Sequence, residues 1–151
     1  MTSPTGELTL AMMRVLDVAR AVVFRALTEP EELAMWWGPN GFTTPSAVID
    51  LRVGGHYRFG MQPPEGELFY LTGEYLEVEP PARVTYTFRW EDPAPGDQET
   101  VVTLSLAELG ESTELSLTQG PFATEDRRAL HHVGWTDGFQ RLERALATAA
   151  D

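Results

Sequence analysis

The strongest pattern in the chain is the alternation in RVTYTFRW, residues 83–90. Val84, Tyr86, Phe88 and Trp90 fall on one face of an extended segment and Arg83, Thr85, Thr87 and Arg89 on the other, which predicts a strand in a sheet with one wet side. A period of two recurs at lower contrast in 7–18, 44–52, 55–61, 68–79, 99–108 and 112–119. In these strands Tyr57, Phe59 and Met61 share a face, as do Leu115 and Leu117. Turn chemistry separates most of the segments: Gly54-Gly55, QPPEGE (62–67), Pro80-Pro81, EDPAPGDQ (91–98) and Gly110. Connections this short predict an antiparallel meander.

Helical spacing replaces alternation twice. In ARAVVFRAL (19–27), Val22, Val23, Ala26 and Leu27 recur at intervals of three and four. Thr28-Glu29-Pro30-Glu31 then supplies a cap, an early proline and first-turn acids for a second short helix that stops at Gly38-Pro39. The last helix is predicted from about Thr124, with Glu125 and Asp126 in its first turn, towards Ala150. At 1.5 Å per residue such a helix is about 37 Å long and can lie across a whole sheet. Trp135, Phe139, Leu142 and Leu146 form its apolar stripe, with His131 on the same line. Gly134, Gly138 and Ala145 run beside that stripe. A helical glycine costs about 0.5 to 1 kcal/mol relative to alanine, so the pair needs a reason: close packing on the sheet, expected for Gly134, or room left open, an equal alternative for Gly138.

Residues 34–42, AMWWGPNGF, place Trp36 beside Trp37. Neighbouring side chains diverge by about 100° on a helix and 180° on a strand, so the two rings cannot fill one core position. One is expected to pack the second helix on the sheet. The other, assigned as Trp37, is expected at the rim of a cavity, with GPNGF as its lip.

Composition narrows the function. At 151 residues the chain fits one domain over 1–151, with loose ends at 1–6 and 148–151. The absence of cysteine excludes disulfides, thiolate nucleophiles and cysteine-based metal sites. A net charge of -12, with eleven scattered basic residues that are all arginine, argues against nucleic acid. No apolar run approaches the roughly 20 residues of a membrane span, so no membrane insertion is expected. The start MTSPTGEL lacks the features of a signal peptide, and a cytoplasmic location is the expectation. EDPAPGDQ does not follow calcium-loop spacing and is expected to be a solvated hairpin tip.

RALTEPEELAMWWGPNGF (25–42), DLRVGGHYRF (50–59), GEYLEVEPPARVTYTFRW (73–90) and GWTDGFQRL (134–142) resemble, in this order, the signatures of the START-like or SRPBCC superfamily. Within it the chain most resembles the group named after the activator of heat-shock-protein-90 ATPase, over about 8–147. The resemblance implies an α+β helix-grip fold: a curved antiparallel sheet, two short helices and a long C-terminal helix enclosing a cavity.

Catalytic chemistry is not legible. There is no nucleophile elbow, P-loop or dinucleotide fingerprint. His131 and His132 are adjacent and point about 100° apart, so they cannot grip one metal, and neither metal nor cofactor is expected. Glu74 and Glu77 lie on opposite faces of their strand, so that one of them is a candidate to point inward. The expected function is binding of a small hydrophobic or aromatic molecule by Trp37, Phe42, Tyr57, Phe59, Tyr86, Phe88, Trp90, His131, Trp135 and Phe139, in a monomer or homodimer. Two alternatives remain. One is a cyclase, hydrolase or resistance protein acting on an aromatic natural product. The other is a co-chaperone-like domain touching a heat-shock ATPase, with the acidic segment 91–99 as its contact.

Overall fold

The computed structural model describes residues 8–150, with the side chains of 149 and 150 outside the description. Of the ends expected to be loose, 1–6 and 151 lie outside the described residues, while 148–150 belong to the last helix. The elements follow in the order β1 (Leu8–Leu16), α1 (Arg20–Thr28), α2 (Pro30–Leu33), β2 (Thr43–Ile49), β3 (His56–Gln62), β4 (Phe69–Glu79), β5 (Arg83–Trp90), β6 (Thr100–Leu109), β7 (Ser112–Phe122) and α3 (Glu125–Ala150). All seven strands form one antiparallel sheet in the order β1-β7-β6-β5-β4-β3-β2.

This order explains the early helices. β1 and β2 are consecutive strands at opposite edges, so the chain between them must cross the sheet, and α1 and α2 make that crossing. α1 turns Val23, Phe24, Ala26 and Leu27 inward and packs against β6, β7 and α3. α2 is a single turn, shorter than the pattern predicts, because the chain leaves helical geometry before Gly38 and Gly41, which have φ of 99° and 89°. Trp36 fastens this corner to α1: its Nε1 donates to Ala26 O at 2.9 Å and its ring is 1% exposed.

α3 is capped by Thr124, whose hydroxyl accepts from the Arg127 N–H at 3.1 Å. Its stripe Trp135, Phe139, Leu142 and Leu146 is buried, as the spacing predicts, and the helix packs on β1 and β7. From the inner face of the sheet rise Tyr57, Phe59, Leu71, Tyr75, Val84, Tyr86 and Phe88, all buried. Tyr57 lies across β4 at Gly73, where a Cβ would strike its ring, and donates to Thr87 O at 2.7 Å. A buried phenol is thus satisfied by the backbone of a strand two positions away in the sheet.

Candidate functional site

A cavity of about 370 Å³ opens between the first half of α3 and the β3–β5 side of the sheet. Three groups of residues build its wall. The corner after α2 contributes Trp36, Trp37, Gly38, Pro39 and Phe42. The strands contribute Met61, Phe69, Tyr70, Phe88 and Trp90. Asp92, Ala94 and Asp97 from the β5–β6 loop, with Arg127, Leu130, His131, Gly134, Trp135 and Gly138 from α3, complete it.

The aromatic wall is interlocked. Trp37 meets Trp36, Phe59 and Trp135 at centroid distances of 5.4, 5.0 and 5.3 Å, the last two edge to face. It is 4% exposed, so it stands inside the wall rather than at the rim. Both tryptophans line the cavity, Trp36 anchored through its indole N–H and Trp37 with a buried Nε1 that has no partner. The GPNG segment does form a lip. Arg141 Nη1 donates to Trp37 O, Gly38 O and Pro39 O at 3.2, 3.1 and 3.0 Å, and the Asn40 N–H donates to Asp137 Oδ2 at 3.2 Å. The lip is therefore tied to α3, not only to its own strand.

Of the ten residues expected to contact a ligand, Trp37, Phe42, Phe88, Trp90, His131 and Trp135 line the cavity. Tyr57, Phe59, Tyr86 and Phe139 do not: they form the layer beneath it, each no more than 5% exposed. Tyr57 packs on Phe59, Tyr75 and Tyr86 at 4.7 to 5.7 Å, and Phe139 packs on Trp135 at 5.5 Å. Large rings fill the interior under the middle of α3 and leave it open where the helix carries glycine. A Cβ on Gly134 would meet only Pro39 Cγ, at 3.9 Å, and one on Gly138 would meet the Trp36 ring at 3.6 Å. Close packing, expected for Gly134, is thus corrected to room for a methyl group in ordinary contact with Pro39.

EDPAPGDQ is the exposed connection of the β5–β6 hairpin, as expected, and it is in addition tethered to α3 through Asp97. Asp97 Oδ1 accepts from Arg127 Nε at 2.8 Å, Asp97 Oδ2 accepts from the Ala94 N–H at 2.8 Å, and Gln98 Nε2 donates to Pro121 O at 2.8 Å. The Asp97 side chain is only 7% exposed. Sequence patterning misses Asp92, Ala94 and Asp97 because a turn-rich segment carries no periodicity to say what it packs against, and it misses Arg127, in the first turn of α3, because that residue's partner lies in the same segment.

His131 is held between rings, at 5.0 Å from Phe122, 5.4 Å from Phe88 and 6.1 Å from Trp90. Its Nδ1 lies 3.0 Å from Arg127 O. Burial lowers its pKa to about 4; Arg127 pushes the same way and Asp97 opposes. Glu74 and Glu77 stay away from the cavity: Glu77 accepts from the Thr85 hydroxyl at 2.8 Å on the outer face, and neither carboxylate lines the wall. Among the described residues no cluster of three metal-ligating side chains occurs, and no helix is long and apolar enough to cross a membrane.

A family model described as Activator of Hsp90 ATPase homolog 1-like protein matches residues 17–147. Among solved structures, protein CV1439 of Chromobacterium violaceum is 30% identical, with TM-score 0.82 over 90% of this chain and 94% of that one. Protein NE0264 of Nitrosomonas europaea is 30% identical, with TM-score 0.80 over 95% and 96%. The AHSA1 (SPO3351) protein of Silicibacter pomeroyi is 26% identical, with TM-score 0.81 over 93% and 99%. No match was found among curated proteins. A seven-stranded sheet gripped by a long C-terminal helix and a family match over most of the chain agree: the chain belongs to the Activator of Hsp90 ATPase homolog 1-like protein family, with the helix-grip fold of START-like proteins.

Proposed function

We propose that this domain binds a small, largely apolar molecule in the cavity under the first half of α3. The observation that carries the reading is the wall itself: about 370 Å³ enclosed chiefly by tryptophan, phenylalanine and methionine, with charged groups confined to Asp92, Asp97 and Arg127. That volume and that sparse polarity suit a ligand site, because apolar contact supplies affinity and a few polar groups supply orientation. Gly134 on the cavity side of the 26-residue helix supports it further, since a glycine there sacrifices helix stability where a methyl group would meet only Pro39 Cγ.

Titration of intrinsic tryptophan fluorescence with lipids, sterols and aromatic polyketides tests the proposal, because all four tryptophans of the chain, Trp36, Trp37, Trp90 and Trp135, line the cavity. Saturable quenching by at least one class is expected. Absence of any response across the panel, with a filled interior in a crystal structure, would overturn it.

A further inference from the structure

His131 lines the cavity with one ring nitrogen engaged by the helix backbone and the other without a partner. A carbonyl oxygen can only accept, so the contact of His131 Nδ1 with Arg127 O requires the proton to be on Nδ1. Burial, which lowers the pKa of the ring to about 4, keeps it neutral near pH 7, so its remaining lone pair is on Nε2. Nε2 has no partner in the protein and is not among the fully buried unpaired atoms. Phe122 and Trp90 hold the ring in this orientation.

We propose that His131 Nε2 accepts a hydrogen bond from the bound molecule, so that the site selects uncharged flat compounds bearing a hydroxyl or N–H donor and disfavours carboxylates. This rests on the reading of the cavity as a ligand site. The mouth agrees with it. Asp92 and Asp97 face one arginine, Arg127, whose Nε is already bound to Asp97. An incoming anion therefore meets an excess of negative charge at the entrance and a chain with a net charge of -12 behind it. A donor on the ligand is matched by an acceptor inside, whereas a carboxylate would set its own lone pairs against that of Nε2.

Three two-ring probes separate the possibilities: naphthalene, 2-naphthol and 2-naphthoate, titrated by calorimetry into the wild-type protein and His131→Phe. Phenylalanine keeps the packing and removes the acceptor. The wild type should bind 2-naphthol about 3- to 10-fold more tightly than naphthalene and 2-naphthoate most weakly, and His131→Phe should bring naphthol to within about twofold of naphthalene. Equal affinity of the wild type for naphthol and naphthalene, or preference for naphthoate, would overturn the role of His131 while leaving the cavity as a binding site. No binding of any probe would remove both. Nitrogen-15 spectra of the imidazole provide a check that needs no variant: the free protein should show His131 protonated at Nδ1, with Nε2 shifting on addition of naphthol. Protonation at Nε2 instead would overturn the inference.

Discussion

The indole Nε1 of Trp135 donates to Gln119 Oε1 at 2.7 Å, in a place where both side chains are buried. Gln119 in turn donates from Nε2 to the Thr100 hydroxyl at 2.9 Å, so a polar chain runs from α3 through β7 to β6. It fixes the tryptophan that forms the back of the cavity. Replacing Gln119 with Met keeps the volume and leaves the indole N–H and the Thr100 hydroxyl unpaired. The expected cost is about 1 to 3 kcal/mol, measured by urea unfolding. An unchanged midpoint would mean that the chain does not hold the helix.

Much of this architecture is legible in the alternation. Each strand is predicted within a few residues of its observed ends, because Val84, Tyr86 and Phe88 opposite Thr85, Thr87 and Arg89 admit only one register with a dry face. The helical stripe of Trp135, Phe139, Leu142 and Leu146 is equally unambiguous. What periodicity does not supply is depth. Tyr57 and Trp90 carry the same signature, yet Tyr57 is 1% exposed beneath the cavity and Trp90 is part of its wall. The difference is decided by what lies opposite: Gly73 beneath Tyr57, and His131 beside Trp90.

Gly134 offers a test of the room for a methyl group beside α3. Alanine there meets only Pro39, at 3.9 Å, and gains the helix preference of alanine over glycine. Gly134→Ala should therefore stabilise the domain by about 0.5 to 1 kcal/mol, a rise of roughly 1 to 4 °C in Tm for a chain of this size. A fall in Tm would restore close packing.

Arg141 closes the lip through three carbonyls and should be needed for its order. Arg141→Met keeps the aliphatic stem and removes the donors. The expected loss is about 1.5 to 3 kcal/mol. Hydrogen exchange should quicken at Asn40, whose N–H is held by Asp137, and at Phe42, whose N–H donates to Pro39 O at 3.1 Å. Unaltered exchange there would show that the lip holds itself.

His131 ties stability to pH. Its folded pKa, lowered to about 4 by burial, lies below the unfolded value of about 6.5. Between those values the unfolded chain binds the extra proton, so the contribution of the neutral ring is complete above pH 6.5 and is lost as pH falls towards 4. The loss amounts to roughly 2 to 4 kcal/mol. Carboxylates titrate in the same window, so the comparison is with His131→Phe: the wild type should lose more stability than the variant between pH 6.5 and 4, by denaturant unfolding. Parallel curves would contradict a buried neutral ring.

Gly138 bears on the central claim. Its Cβ position is 3.6 Å from the Trp36 ring and 3.9 Å from Gly38 O, both groups of the cavity wall, so a larger side chain there competes with a ligand for the cavity volume. Titration of wild type and Gly138→Leu with the tightest ligand of the fluorescence panel, alongside their thermal melts, is the most direct measurement. If the cavity is the binding site, Gly138→Leu loses binding by tenfold or more, on the order of 1.4 kcal/mol, while its Tm stays within a few degrees of the wild type. Wild-type affinity in Gly138→Leu would contradict the account.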